Sequence, residues 1–137
     1  MEILYLLDTN TVSYFIADNP PQVRRRLELA GFGSTAVSTI TEGELRYGIA
    51  RNPTAIRRVT SVESFLDGAP ILPWDSAAAN AYGRLRDRQE RKGRPLSTED
   101  LMIAAHALAL GLILVTHDDA FRFVDGLKTE DWTIPES

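Results

Sequence analysis

Cysteine is missing from all 137 residues, which removes disulfides, thiolate metal sites and cysteine nucleophiles from the functional options. That fits a reducing compartment. Histidine is scarce too, with two residues, His106 and His117. No apolar run approaches the roughly 18 residues that a membrane-spanning helix needs. The apolar stretch from Ile3 to Leu7 is short and follows acidic Glu2, unlike the basic start of a signal peptide. No repeat, low-complexity block or Pro/Gly/Ser linker breaks the chain. The expectation is a single domain over residues 1–137, soluble and cytoplasmic, with no membrane role. Positive charge is also in short supply: 15 Lys and Arg against 19 Asp and Glu leave a net charge of -4. That balance argues against coating nucleic acid by bulk electrostatics. It leaves room for an enzyme with a local acidic centre and basic residues elsewhere.

What is present is an ordinary globular composition, 44% hydrophobic and 25% charged. Such a chain buries about two-thirds of its unfolded surface. Ile3 to Leu7 reads as a strand buried on both faces. Helices are expected from Thr11, and from Pro21 to Ala30 with Gly31 and Gly33 closing the second. Ala36 to Ser38 is a strand. Thr39-x-x-Glu42 reads as a capping box opening a helix that ends near Gly48, and Pro53 starts another running to about Leu66. Ile71 and Leu72 make a brief strand, and Asp75 caps a charged helix out to about Lys92. Ser97-x-x-Asp100 is a second capping box, before an apolar helix from Leu101 to Leu110 that Gly111 stops. Leu112 to Val115 is a strand, followed by a helical turn and a strand near Thr129. Strands alternating with helices imply an α/β fold with a parallel sheet covered on both faces.

Ligands of such sheets gather beyond the carboxyl ends of the strands. Asp8, in LLDTN, and Asp118, in VTHDD, both stand where apolar strands end. Glu44, in TITEGELRYG, and Asp100, in LSTEDLMIAA, lie in the first turns of helices. Converging, these four carboxylates make an all-oxygen site suited to Mg²⁺ or Mn²⁺, which take one or two carboxylates plus waters and substrate phosphates. Two like charges about 4 Å apart repel by roughly 4 kcal/mol at an effective dielectric of 20, so such a cluster calls for a counter-ion. Each acid also has a local explanation. Asp8 and Asp100 suit helix caps, Glu42 serves the box opened by Thr39, and Glu99 favours a helix dipole. Spacing does not separate Asp118 from Asp119.

The same strings carry a resemblance. From LLDTN, through SxITxxELRYG, to RxGRPLSTEDLMIAAHALALGLILVTHD and the closing GLKTEDW, nearly the whole chain resembles the PIN-domain family, and within it the VapC-type toxins of bacterial toxin–antitoxin pairs. The resemblance implies a three-layer α/β/α sandwich with a mainly parallel central sheet. It places the family's acidic metal ligands on Asp8, Glu44, Asp100 and Asp118, with Asn10 and Thr116 as supporting polar residues. It further implies Mg²⁺ or Mn²⁺ as cofactor, endonucleolytic cleavage of RNA, homodimers, and a small VapB-type antitoxin whose tail enters the active site.

Candidate RNA contacts are Arg46 and, within the basic stretch from Arg84 to Arg94, Arg84, Arg86, Arg91 and Arg94. Arg24 to Arg26 and Arg51 are further candidates. Asp87 and Glu90 interrupt the stretch, so helical ion pairing explains it equally well. Such contacts position a substrate without reading its sequence. Tyr14, Phe15 and Ile16 serve the core or a partner surface, and Trp74 and Trp132 read as packing anchors. Cleavage by two imidazoles is poorly served, because His106 falls inside an apolar helix. Two rival functions stand beside the nuclease. A phosphatase using Asp8 as nucleophile lacks its second aspartate, since Asn10 stands there. An interaction protein would use the acidic pocket to receive a partner's arginine.

Overall fold

In the computed structural model, residues 2–135 are described. Five strands form one sheet: β1 (Tyr5–Leu7), β2 (Thr35–Ser38), β3 (Ile71–Leu72), β4 (Ile113–Val115) and β5 (Thr129–Glu130), in the order β3-β2-β1-β4-β5. Every pairing is parallel. The helices are α1 (Thr9–Ala17), α2 (Pro21–Ala30), α3 (Thr39–Arg51), α4 (Ile56–Gly68), α5 (Ser76–Arg91) and α6 (Thr98–Leu110). A 3-10 helix, Asp119–Phe123, follows β4.

Alternation along the strands separates two cores, because successive side chains of a strand leave on opposite faces. Leu6 and Leu114 pack with Leu85, Leu101, Ala104 and Phe121, beneath α5 and α6. Their neighbours Leu7 and Val115 pack with Val12, Leu27, Leu45, Val62 and Trp132, beneath α1 to α4. Helices thus cover both faces, giving the expected α/β/α layering with an entirely parallel sheet. Trp132 is 2% exposed and is a core anchor. Trp74 is half-buried and donates its indole N–H to the Met102 carbonyl at 2.8 Å.

Several expected boundaries move, each for a local reason. Helix α1 starts at Thr9, not Thr11, because Asp8 itself is the N-cap. The cap of α3 is Ser38, whose hydroxyl accepts from the Ile40 N–H at 3.1 Å. The expected Thr39–Glu42 box does not form: the Thr39 hydroxyl accepts from the Trp74 N–H, and Glu42 pairs with Arg46. Gly48 does not end α3, which continues to Arg51. Pro53 lies in a turn closed by the Ala55 N–H on the Asn52 carbonyl, so α4 begins only at Ile56 and extends past Leu66 to Gly68. Helix α6 starts at Thr98, not Leu101, behind a Ser97 cap that accepts from the Asp100 N–H. It ends as expected at Gly111, whose φ of 69° is a left-handed conformation that glycine adopts without a Cβ penalty.

Candidate active site

Parallel pairing sets Leu7 beside Val115, so the residues that follow, Asp8 and Thr116, emerge together at the carboxyl edge of the sheet. The Asp8 N–H donates to the Val115 carbonyl at 3.1 Å, and Asp8 Oδ1 accepts from the Thr11 N–H at 2.8 Å. The side chain is thereby fixed at the N-terminus of α1. Asp8 is 6% exposed. Burial raises its pKa above the ordinary 3.8. Hydrogen bonds from Thr116 and Thr11 oppose that rise, and the charge of Asp118 adds to it.

Asp100 stands in the first turn of α6, half-buried, with its pKa also raised. Burial is the main cause. The Ser97 hydroxyl opposes it, and the charges of Asp118, Asp8 and Glu44 all push it further up. These couplings place the four acids in one electrostatic neighbourhood. Among the described residues, neither Asp8 nor Asp100 forms a salt bridge.

Glu44 comes from α3, where its Oε1 accepts from the Thr9 hydroxyl, itself 3.2 Å from that of Thr41. Asp118 is held from two sides: its N–H donates to Thr116 Oγ1 at 3.1 Å, and its Oδ1 accepts from the Ala120 N–H at 2.9 Å. The two neighbouring aspartates have different partners. Asp119 faces outward and pairs with Arg122, while Asp118 acts on Asp8 and Asp100. Glu42 is likewise engaged by Arg46, leaving Glu44 to the cluster. Thr116 is buried beside Asp8, and Asn10 is exposed in the first turn of α1.

Local caps take up part of the cluster's hydrogen-bonding capacity. Among the described residues, no three acidic or histidine side chains converge tightly enough to enclose a metal ion by themselves. The donor chemistry nevertheless suits a hard cation. Mg²⁺ demands oxygen ligands and usually keeps waters and substrate oxygens, so an open, carboxylate-only arrangement is the kind that accommodates it.

The roles of Thr9 and Thr11, and the partners of His117, were not foreseen from sequence, although His117 itself stood out there as a residue that could touch substrate. Thr9 braces Glu44 with its hydroxyl, and Thr11 braces Asp8 with its backbone N–H while its own hydroxyl donates to the Val115 carbonyl at 3.1 Å; their place within the LLDTNT string was the only hint. His117, Asp131 and Thr133 form a group beside Asp118: His117 Nδ1 lies 2.8 Å from Asp131 Oδ2 and 3.1 Å from Thr133 Oγ1. This carboxylate raises the imidazole pKa. His106 is 1% exposed and bound through Nδ1 to Ser38 Oγ at 2.9 Å.

Most of the candidate basic residues are occupied. Arg46 pairs with Glu42 and Glu63, Arg86 with Glu90, and Arg91 with Asp87. Arg84 is exposed on α5. Arg94 lies over the Phe123 ring. A cavity of about 550 Å³ lies away from the acids, lined by Phe15, Ile16, Arg24, Phe32 and Phe65 among others. Among the described residues, no helix is long and apolar enough to cross a membrane.

Comparison with known proteins agrees with this architecture. The family model of the PIN domain matches residues 5–127. A Shigella flexneri protein named tRNA(fMet)-specific endonuclease VapC is 38% identical over 130 residues, covering 94% of this chain and 98% of its own. The VapBC crystal structure from Salmonella typhimurium, bound to DNA, superposes with a TM-score of 0.88 at 35% identity, over 95% of this chain and 98% of that one. VapBC2 from Rickettsia felis, bound to a DNA fragment from its promoter, gives a TM-score of 0.86 at 30% identity, over 95% and 99%. Sheet order, layering and matched sequence concur: the chain belongs to the PIN-domain family, among its VapC-type members.

Proposed function

We propose that the chain is an endoribonuclease of the VapC type, the toxin of a toxin–antitoxin pair, that hydrolyses RNA phosphodiesters with Mg²⁺ or Mn²⁺ held by Asp8, Glu44, Asp100 and Asp118. The observation that carries this reading is electrostatic. Two carboxylates, Asp8 and Asp100, are desolvated and pushed upward by further acids, and among the described residues neither forms a salt bridge. Such a cluster is stabilised by a positive charge arriving from outside. A divalent ion there supplies a lowered pKa for water and compensates charge on phosphoryl oxygens.

The chain's own groups do the rest. Asp8 is oriented by the Thr11 amide, Glu44 by the Thr9 hydroxyl, and Asp118 by Thr116 and the Ala120 amide. Bracing of this sort holds functional groups to the tolerance a reaction needs. In-line attack by water leaves a 5′-phosphate and a 3′-hydroxyl. Cleavage through the ribose 2′-hydroxyl by a pair of imidazoles is poorly served, because His106 is sealed in the core against Ser38.

Partners follow from the relatives, which include VapBC toxin–antitoxin complexes. In this reading a small VapB-type antitoxin covers the acid cluster with a basic side chain, and two copies of the chain form a homodimer. The decisive experiment incubates antitoxin-free protein with total RNA or transfer RNA and Mg²⁺ or Mn²⁺, beside an Asp8→Ala control. Metal-dependent cleavage by the parent alone, with 5′-phosphate ends, supports the proposal. Equal cleavage by both proteins, or 2′,3′-cyclic phosphate ends, would overturn it.

A further inference from the structure

At the far end of the 3-10 helix that Asp118 opens is a pair of side chains that neither the fold nor the proposed metal site uses. Phe123 ends the 3-10 helix that Asp118 opens, and it is 42% exposed while its neighbours Phe121 and Val124 are 1% and 3% exposed. The guanidinium carbon of Arg94 lies over its ring, 3.9 Å from the centroid.

Both partners are clamped through their backbones. The Arg94 N–H donates to the Gln89 carbonyl at 2.9 Å, and the Arg94 carbonyl accepts from Gln89 Nε2 at 2.9 Å. Gln89 is 1% exposed, so a buried amide is spent on fixing a surface arginine. Gly93, at φ 68°, makes the turn between them, a conformation that strains other residues. On the opposite side, Lys92 Nζ donates to the Phe123 carbonyl at 2.9 Å and pairs with Asp125 at 3.2 Å. Among the described residues Arg94 has no acidic partner, whereas Arg46, Arg86 and Arg91 each have one.

We propose that the Arg94–Phe123 stack is a nucleobase shelf that seats one unpaired base of the RNA next to the cleaved bond. The inference rests on the ribonuclease reading above and adds how the substrate is held. Position supports it. Arg94 lies three residues before the Ser97 cap of α6, in whose first turn Asp100 stands, and Phe123 is one 3-10 helix away from Asp118. At about 2 Å per residue that helix spans about 10 Å, the reach of about three stacked nucleotides at 3.4 Å each.

Chemistry supports it as well. A guanidinium is planar and weakly hydrated, so it stacks on an aromatic face while keeping N–H donors at its edge for a phosphate. Unpaired RNA bases are held on aromatic and arginine planes of this kind, and stacking tolerates any base because each has a π-face. Holding the pair in place beforehand lowers the ordering cost of binding.

The test uses full-length protein carrying Asp8→Asn, so that RNA is bound but not cut. Its ligand is a labelled single-stranded oligoribonucleotide that the parent cleaves. Companion oligonucleotides each lack one base within three positions of the cut. Arg94→Ala and Phe123→Ala are each expected to weaken binding of the intact oligonucleotide by about fivefold to a hundredfold, the range measured for base–aromatic stacking. One abasic oligonucleotide should bind the parent with the same loss and be indifferent to both substitutions. Arg94→Lys, which keeps the charge but not the plane, should behave like Arg94→Ala, and Phe123→Trp should retain binding. In the cleavage-competent background the substitutions raise KM and leave kcat in place.

Equal penalties on intact and abasic RNA, or full affinity with Arg94→Lys, would overturn the shelf. Phe123→Leu, which keeps apolar volume, guards against misfolding: it is expected to melt with the parent yet bind like Phe123→Ala, and parent-like binding would also overturn the proposal. A parent that cleaves no RNA refutes the ribonuclease reading. A parent that cleaves while all variants bind alike refutes the shelf alone.

Discussion

Thr9 on α1 donates its hydroxyl to Oε1 of Glu44 on α3, joining side chains 35 positions apart. The bond crosses between two helices that start from adjacent strands, and it fixes one acid of the cluster from the residue next to another. A hydrogen bond to a charged group is worth about 1.5–3 kcal/mol. Thr9→Val, which keeps the shape and removes the donor, is expected to lower cleavage about tenfold, within the 10–100-fold range typical of groups that orient metal ligands. The melting temperature should fall by several degrees, at about 2–8 °C per kcal/mol. Steady-state cleavage rates alongside thermal melts check this, and unchanged cleavage would show that Glu44 needs no bracing.

Asp8→Asn separates function from stability. Asparagine caps a helix as well as aspartate does, and it carries no charge to desolvate. Metal-free protein with this substitution is expected to melt at or above the parent's temperature while cleavage falls at least about 100-fold. Added Mg²⁺ should raise the parent's melting point, by the equivalent of about 2.7 kcal/mol at a hundred times its Kd. The variant should respond less. Identical Mg²⁺ shifts in both proteins would place the ion elsewhere.

The pH dependence of the same pair follows from the direction of the shifts. Asp8 and Asp100 have folded-state pKa values above their ordinary 3.8, so between that value and the raised ones the folded chain binds more protons than the unfolded chain. Their contribution favours folding at low pH and is lost as pH rises through the raised values. The advantage of metal-free Asp8→Asn over the parent is therefore expected to grow as pH climbs from about 4 and then level off. Paired denaturant titrations across that range test it. A constant difference would mean that Asp8 is not perturbed.

His106 behaves in the opposite sense. Burial lowers its pKa below 6.5, against the pull of Asp75 and the Pro73 carbonyl. Its contribution is complete above 6.5 and is lost as pH falls below that value. Ser38 joins this histidine to the cap of α3, so Ser38→Ala removes a cap and strands a buried ring nitrogen. A loss of about 2 kcal/mol is expected from the two effects together. Chemical denaturation measures it, and a loss under about 0.5 kcal/mol, the size of an ordinary surface change, would contradict the pairing.

The acids at strand ends were legible because a parallel sheet sends its ligands to one edge, and short apolar runs mark the strands. The stop at Gly111 and the cap at Ser97 were legible because their causes are local. What escaped was decided between distant segments. Ser38 and Thr39 are both competent caps, and only the Trp74 N–H, which claims the Thr39 hydroxyl, assigns the cap to Ser38. The partners of neighbouring acids were equally hidden: Asp119 pairs with Arg122 and Glu42 with Arg46, while Glu44 accepts from Thr9. Pro53 had the right residue type for a helix start, but the chain turns at Asn52 to Ala55 before resuming a helical register.

The place of β1 in the middle of the sheet bears on when the acid cluster forms. Leu7 pairs with Val115, 108 positions further along the chain, and Asp118 lies beyond that partner. Pairings so far apart in the chain form late and slowly. Until Leu7 and Val115 pair, Asp8 and Thr116 are not held together at one edge of the sheet, and the acid cluster is incomplete.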